Sequence, residues 1–302
     1  MLTNKQNILP AILITAAGVI LFSSKAVLIK LAYQYDVNSI SLLLLRMLFS
    51  LPFYTSIFLI RRSNWKENPI NRKQLFTLIS LGILGYYLAS LFDFHGLTYI
   101  TASLERLILF SYPTFVLLIS RIFLNKKITK PQLISILITY TGIAIIFIDR
   151  GGIVEGSILN VAKGSLFVFL SAIAYASYLV GSGTLIAQVG SVRLTTYSML
   201  VSCFAVIIHY LLTSEINLLS YQIEVYIYSF LMAVIATVLP SFMINEGIRR
   251  MGASNVSIVG SFGPVSTILL SMIFLGEVLT LLQFAGALVI IGGIVVIAQS
   301  NK

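Results

Sequence analysis

A chain of 302 residues that is 58% hydrophobic and 10% charged, with a mean hydropathy of +0.98, departs from soluble domains, which run at roughly 45–50% apolar and about 25% charged. No water-soluble fold hides that much apolar surface, and with 20 Gly, 7 Pro and 1 Cys collagen-like, disordered and disulfide-scaffold classes are excluded as well. The net charge of +10 would suggest a nucleic-acid partner in a soluble protein; here its distribution has another explanation.

Apolar windows of about 20 residues, bounded by charges, Pro or Gly, mark membrane-spanning helices. They predict ten, near 8–32, 38–60, 75–98, 101–124, 131–149, 163–184, 191–213, 222–248, 253–275 and 280–299. The expected fold class is therefore all-α and integral to a membrane. The first window, with Lys5 ahead of Ile8 to Phe22, is similar to a signal peptide but lacks the small-residue cleavage pattern, and it reads as a retained helix. Cys203 stands in an apolar stretch with no second cysteine, so no disulfide or redox role is expected.

Basic residues concentrate in alternate connections. Arg61, Arg62, Lys66, Arg72 and Lys73 follow the second span, and Arg121, Lys126, Lys127 and Lys130 follow the fourth. Fourteen Lys and Arg fall on the side of the two termini, against two, Arg150 and Lys163, on the other, where Asp36, Glu155, Glu215, Glu224 and Glu277 stand. The positive-inside rule then places both termini in the cytoplasm of a multi-pass inner (plasma) membrane protein. The basic charge becomes a record of orientation, and no nucleic-acid partner is expected.

A constant shift of 151 residues lays 101–148 on 252–299 without a gap. Ala102-Ser103 falls on Ala253-Ser254, Pro113 on Pro264, Ile122-Phe123-Leu124 on Ile273-Phe274-Leu275, Thr129 on Thr280, Gln132 on Gln283, and Gly142-Ile143 on Gly293-Ile294. The shift carries back to Gly96 on Gly247. The chain thus divides into halves at 1–150 and 151–302, each with five predicted spans. An odd number of spans per half turns the second copy upside down, the inverted-repeat plan of many secondary transporters.

These residues make the chain similar to the EamA-type domain of the drug/metabolite transporter superfamily: Ala-Ser opening the fourth helix of each half, Pro113 and Pro264 within it, and Gly276-Glu277-Val278-Leu279-Thr280 after the ninth helix. The first half departs at that corner, reading Asn125-Lys126. The resemblance implies a carrier for small metabolites, an exporter of amino acids or related compounds, with a central cavity built from the first four helices of each half. It also implies that the fifth and tenth helices are scaffold or contacts of a homodimer, where Gly286, Gly292 and Gly293 would allow close packing. An importer or exchanger of a nucleotide-like or adenosyl metabolite is the alternative on the same architecture.

A charge at the bilayer centre costs at least about 2.5–3.5 kcal/mol, so ionisable residues inside spans are functional candidates. Lys25 follows Ser23-Ser24 inside the first helix and is the deepest cation without an obvious partner; a substrate carboxylate or phosphate would suit it. In the third helix Gly82, Tyr86, Ala89, Asp93 and Gly96 recur at steps of four and three, which puts them on one face as a cavity wall. Adjacent Glu105 and Arg106 point about 100° apart, so each is expected to pair with another helix: Asp93 with Arg106, and Glu105 with Lys25 or Arg46. Arg46 could grip a carboxylate bidentately, but an intramolecular ion pair is the expectation, as it is for Glu246 with Arg249 or Arg250.

Pro113 and Pro264 are expected as paired hinges, since each removes a backbone hydrogen bond within an apolar helix. Tyr86, Tyr175, Tyr178 and Phe262 would stack on the apolar part of a ligand. The substrate site is thus expected at Lys25, Tyr86, Asp93, Glu105, Arg106, Tyr175 and Phe262, with Glu105 or Asp93 as proton acceptor if transport is proton-coupled. No nucleotide loop, metal spacing or nucleophile elbow stands in the sequence, so neither catalysis, a cofactor nor a metal is expected. The expected partners are a small metabolite and the lipid bilayer.

Overall fold

The computed structural model describes residues 9–149, 158–213, 218–276 and 281–300, and all regular structure among them is helical. Its principal helices are α1 (Leu9–Tyr33), α2 (Ser39–Lys66), α3 (Arg72–Gly96), α4 (Ala102–Leu109), α5 (Tyr112–Leu124) and α6 (Lys130–Asp149). The second half holds α7 (Ile158–Val189), α8 (Ser191–Thr213), α9 (Ile223–Met251), α10 (Ala253–Leu275) and α11 (Leu281–Ser300). Lys5, Arg150, Glu155, Glu215, the Glu277 to Thr280 corner and Lys302 lie outside the described residues.

Seven helical stretches among the described residues are long and apolar enough to cross a membrane: α1, α2, α3, α10, α8, α9 and most of α7. The other predicted spans fall on α6 and α11, of 20 residues each, and on α4 with α5, which are interrupted at Phe110 and Ser111. Large apolar side chains, Phe76, Phe123, Leu212 and Ile273 among them, stand on the outer surface, as a lipid solvent permits. Two helices outrun their apolar windows. α2 continues to Lys66 and α7 to Val189, because backbone hydrogen bonding does not stop where hydropathy falls.

Local chemistry sets the helix starts. Asn38 accepts from the Ser41 amide at 2.7 Å, and Asn71 and Gln74 form a reciprocal capping box at the head of α3. Pro113 and Pro264 each occupy the first turn of a helix that resumes after a break, where the missing amide hydrogen costs nothing. They follow the interruptions; the expected mid-helix position is corrected to a helix start.

Departures from the α-helix recur at the sequence shift of 151 residues. The π-turn Ile83–Leu88 begins 151 residues before the π-turn Val234–Val238. The break at Phe110 and Ser111 matches the 3₁₀ segment Gly260–Phe262, and left-handed residues end both following helices, Asn125 at φ 51° and Gly276 at φ 68°. A π-turn adds one residue to a helical turn and rotates the side chains beyond it relative to those before it. That rotation divides the expected face of α3. Gly82 lies against Ser198 of α8, Gly96 against Gly164 and Val168 of α7, and Asp93 meets α1.

Tertiary contacts define two ends of the bundle. At one, Arg193 donates to the backbone carbonyls of Asn68 (2.6 Å) and Trp65, Gln74 bonds Gln188, and Glu246 bonds Ser191, Arg249 and Arg250. At the other, Lys30 donates to the Leu97 carbonyl, Tyr33 to the Phe94 carbonyl, and Asn38 to Tyr221. The expected pairing of Glu246 is present, and its bond to Ser191 ties α9 to the start of α8. α6 and α11 pack chiefly on each other, with Ser135 Oγ donating to the Gly293 carbonyl at 2.6 Å.

Candidate functional site

α1 brings Phe22 and Lys25 to the middle of the bundle, and the charged residues gather around them. Lys25 Nζ lies 2.5 Å from Asp93 Oδ2 of α3. Arg106 Nε lies 3.6 Å from Glu105 Oε2, and its Nη2 donates to the Phe22 carbonyl at 3.1 Å. Both cations also cover the Phe22 ring, at 4.6 Å and 5.5 Å from its centroid. All four charged residues are buried, with Glu105 at 0% exposure.

The pairing differs from the expected one. Asp93 pairs with Lys25 and not with Arg106; Glu105 contacts its own neighbour, and not Lys25 or Arg46. Adjacent backbone directions diverge, but the three-carbon stem of Arg106 is long enough to fold back as its tip reaches toward Phe22. Arg46, expected in an ion pair, has no carboxylate within 4.0 Å among the described residues. Its Nη2 donates to Ser90 Oγ at 2.9 Å and its guanidinium covers the Phe94 ring at 4.8 Å.

Beside this cluster lies a cavity of about 30 Å³, room for about two waters. Lys25, Arg46, Tyr86 and Tyr175 line it, and Phe22 forms part of its wall. Both π-turns contribute through pairs related by the 151-residue shift: Gly85 with Ala236, Tyr86 with Thr237, and, just beyond, Ser90 with Ser241. Part of the wall is therefore made from equivalent positions of the two halves. A second, smaller space shares Phe22 and Tyr175 with the first and adds Arg106 and Tyr112. Tyr112 Oη donates to the Ser257 carbonyl at 3.1 Å, joining the break after α4 to α10.

Of the seven residues expected to bind substrate, Lys25, Tyr86 and Tyr175 line the main cavity and Arg106 the smaller one. Asp93 and Glu105 stand behind Lys25 and Arg106 and line neither. Phe262 also lines neither: the 3₁₀ turn places Gly260 and Gly263 at the smaller space instead. Ser90, Ser241 and Thr237 were missed because single hydroxyl residues in apolar helices carry little signal. Extending the 151-residue shift back from Gly96 on Gly247 would have found the Ser90 and Ser241 identity.

Aromatic edges stiffen the wall. The Tyr86 and Tyr178 rings meet at 4.7 Å, and Tyr175 contacts Tyr112 at 5.3 Å. Asn245 of α9 holds this layer from the far side, donating to Tyr178 Oη (2.6 Å) and Thr195 Oγ1 (2.8 Å). Tyr54 and Ser241 join hydroxyls at 2.9 Å beside the cavity.

The profile of the EamA-like transporter family matches residues 9–148 and again 162–299. An uncharacterized transporter, YcbK, of Bacillus subtilis (strain 168) is 32% identical over 273 residues, spanning 89% of this chain and 86% of the relative. A second from that organism, YyaM, is 28% identical over 79% of this chain and 77% of its own length. One from Archaeoglobus fulgidus is 25% identical over 82% and 84%. A solved crystal structure superposes with a TM-score of 0.74 at 17% identity, covering 95% of this chain and 96% of the other, and so has the same fold.

Proposed function

Because this chain belongs to the EamA-like transporter family, we propose that it is a secondary transporter that exports amino acids or related small metabolites across the inner membrane by alternating access. It works without catalysis. The observation that carries this reading is the central cavity whose wall includes three pairs of equivalent positions from the two halves, Gly85 with Ala236, Tyr86 with Thr237 and Ser90 with Ser241, the place where a repeat-built transporter holds its cargo. That cavity has room for about two waters, so cargo entry requires the halves to move apart.

Ten spans in two inverted five-helix halves are the architecture this reading requires. It is supported by the two matches to one family profile and by backbone departures recurring at one shift. Cytoplasmic termini are supported by the basic end of the bundle, where Arg61, Arg62, Lys66, Arg72 and Lys73 neighbour Arg193, Arg249 and Arg250. The breaks ahead of Pro113 and Pro264 are the hinges in this mechanism, and Lys25, Tyr86, Tyr175 and Arg106 contact cargo. Asp93 and Glu105 set the charge of the cations and take the proton if transport is coupled to one. Homodimers would form through the outer faces of α6 and α11.

The test is an untargeted comparison of metabolites exported by cells with and without the protein, followed by counterflow of the compounds found in reconstituted vesicles. Compounds that accumulate outside only in expressing cells, and that exchange across the vesicle membrane, support export. No difference at normal expression, or net uptake, overturns it.

A further inference from the structure

The wall of the main cavity carries charge of one sign. Lys25 and Arg46 are its charged residues, and no carboxylate lines it among the described residues. The Lys25 charge is matched by Asp93 at 2.5 Å. Arg46 is matched by nothing comparable: its hydrogen-bond acceptor is the neutral Ser90, its Nε is buried without a partner, and the residue is 2% exposed. Taken together, Lys25, Arg46 and Arg106 set three cations against the two carboxylates of Asp93 and Glu105. A buried guanidinium with an unfilled donor and no carboxylate within 4.0 Å among the described residues is costly to maintain. Its planar fork matches a carboxylate, and Ser90, which accepts from Arg46, keeps an O–H to donate to the same anion. The remaining wall is mixed, with the rings of Phe22, Tyr86 and Tyr175 beside aliphatic Leu109 and Ile244 and several hydroxyl residues, whereas an ammonium would meet no carboxylate there.

We propose that Arg46 with Ser90 is the carboxylate-binding point of the transport site, and that the cargo is a small monocarboxylate with an apolar or aromatic body whose amino group is dispensable. The proposal rests on the transporter reading and names the class of molecule carried. It also reverses the assignment of Arg46 as a structural ion pair.

Three probes with the same ring separate the charges: 3-phenylpropanoate (anion), L-phenylalanine (zwitterion) and 2-phenylethylamine (cation). Added to the purified full chain at neutral pH, the anion raises the unfolding temperature, because a ligand that binds only the native state stabilises it; the zwitterion does so no better, and the amine leaves it unchanged. Arg46→Gln removes the response to the anion. Arg46→Lys, which keeps the charge without the fork, and Ser90→Ala each weaken anion affinity by roughly tenfold, the weight of one charge-assisted hydrogen bond. These two variants decide the matter should Arg46→Gln fail to fold. An amine that stabilises as well as the acid, an acid without effect, or variants that bind the acid like the parent would each overturn the proposal. Counterflow in vesicles distinguishes its failure from that of transport: acid bound but never moved refutes the carrier and leaves Arg46 standing, while movement of the amine without the acid does the reverse.

Discussion

The Lys25 ammonium and the Asp93 carboxylate meet at 2.5 Å across α1 and α3, with side-chain exposures of 4% and 1%. The deepest cation of the sequence is therefore neutralised within the protein. Removing one member of a buried pair leaves the other charge uncompensated and costs about 3–5 kcal/mol, while replacing both can be nearly neutral. Lys25→Met or Asp93→Asn alone is expected to lower the unfolding temperature sharply, and the double variant to recover most of the loss. Thermal unfolding of the four proteins checks this; a double variant as unstable as the two losses summed would show that the pair is not coupled.

Glu105 sits beside Arg106, buried, with neither carboxyl oxygen hydrogen-bonded. A carboxyl so placed can exchange a proton without dismantling a cap or a turn. Glu105→Gln keeps the shape and removes the exchangeable proton. The expected outcome is that transport driven by an imposed pH gradient falls to the rate without a gradient, while counterflow persists. Gradient-driven transport at the parental rate would remove Glu105 from proton coupling.

Much of the helix order was legible, because spans about 20 residues long are written in hydropathy and the halves share Pro, Thr, Gln and Gly at one shift. The face of α3 was not. A period of 3.6 residues places Gly82 and Gly96 with Asp93, but the π-turn Ile83–Leu88 breaks that period, and nothing in the Ile-Leu-Gly-Tyr-Tyr-Leu sequence announces a π-turn. Partner choice was equally hidden. Sequence identifies Lys25, Arg46, Asp93, Glu105 and Arg106 as costly to bury, whereas which cation meets which carboxylate depends on how α1 lies against α3 and α4. Lys25 lines the cavity, and Arg46 acquires its significance only with Ser90 and Phe94, and no carboxylate within 4.0 Å among the described residues, around it.

The contact of α6 with α11 gives a paired test. A side chain at Gly293 would strike the Ser135 carbonyl and Thr139 of α6, whereas one at Gly292 would meet open space. Gly293→Ala is expected to force the helices apart and lower the unfolding temperature. Gly292→Ala is expected to be no less stable than the parent, since Ala is favoured over Gly in a helix by about 1 kcal/mol. Equal effects at both positions would contradict this packing.

Gly85 tests whether the π-turn of α3 sets the shape of the cavity. A methyl group there would run into the Cβ and ring of Tyr178, a side chain already fixed by the Tyr86 edge at 4.7 Å and by Asn245 at 2.6 Å. Tyr178 cannot retreat without releasing Asn245, so the strain falls on Tyr86 at the cavity wall. Gly85→Ala is expected to cost about 1–3 kcal/mol, the usual range for overpacking, and to reduce transport more than it reduces folded protein. The equivalent position in the second half is already Ala236, so the turn geometry itself tolerates a methyl group and the penalty arises from the Tyr178 contact. Tyr178→Gly, which removes the Cβ as well as the ring, would in the Gly85→Ala background restore the stability lost to the added methyl group when compared with Tyr178→Gly alone. An undiminished penalty in that background would place the strain in the backbone of the turn.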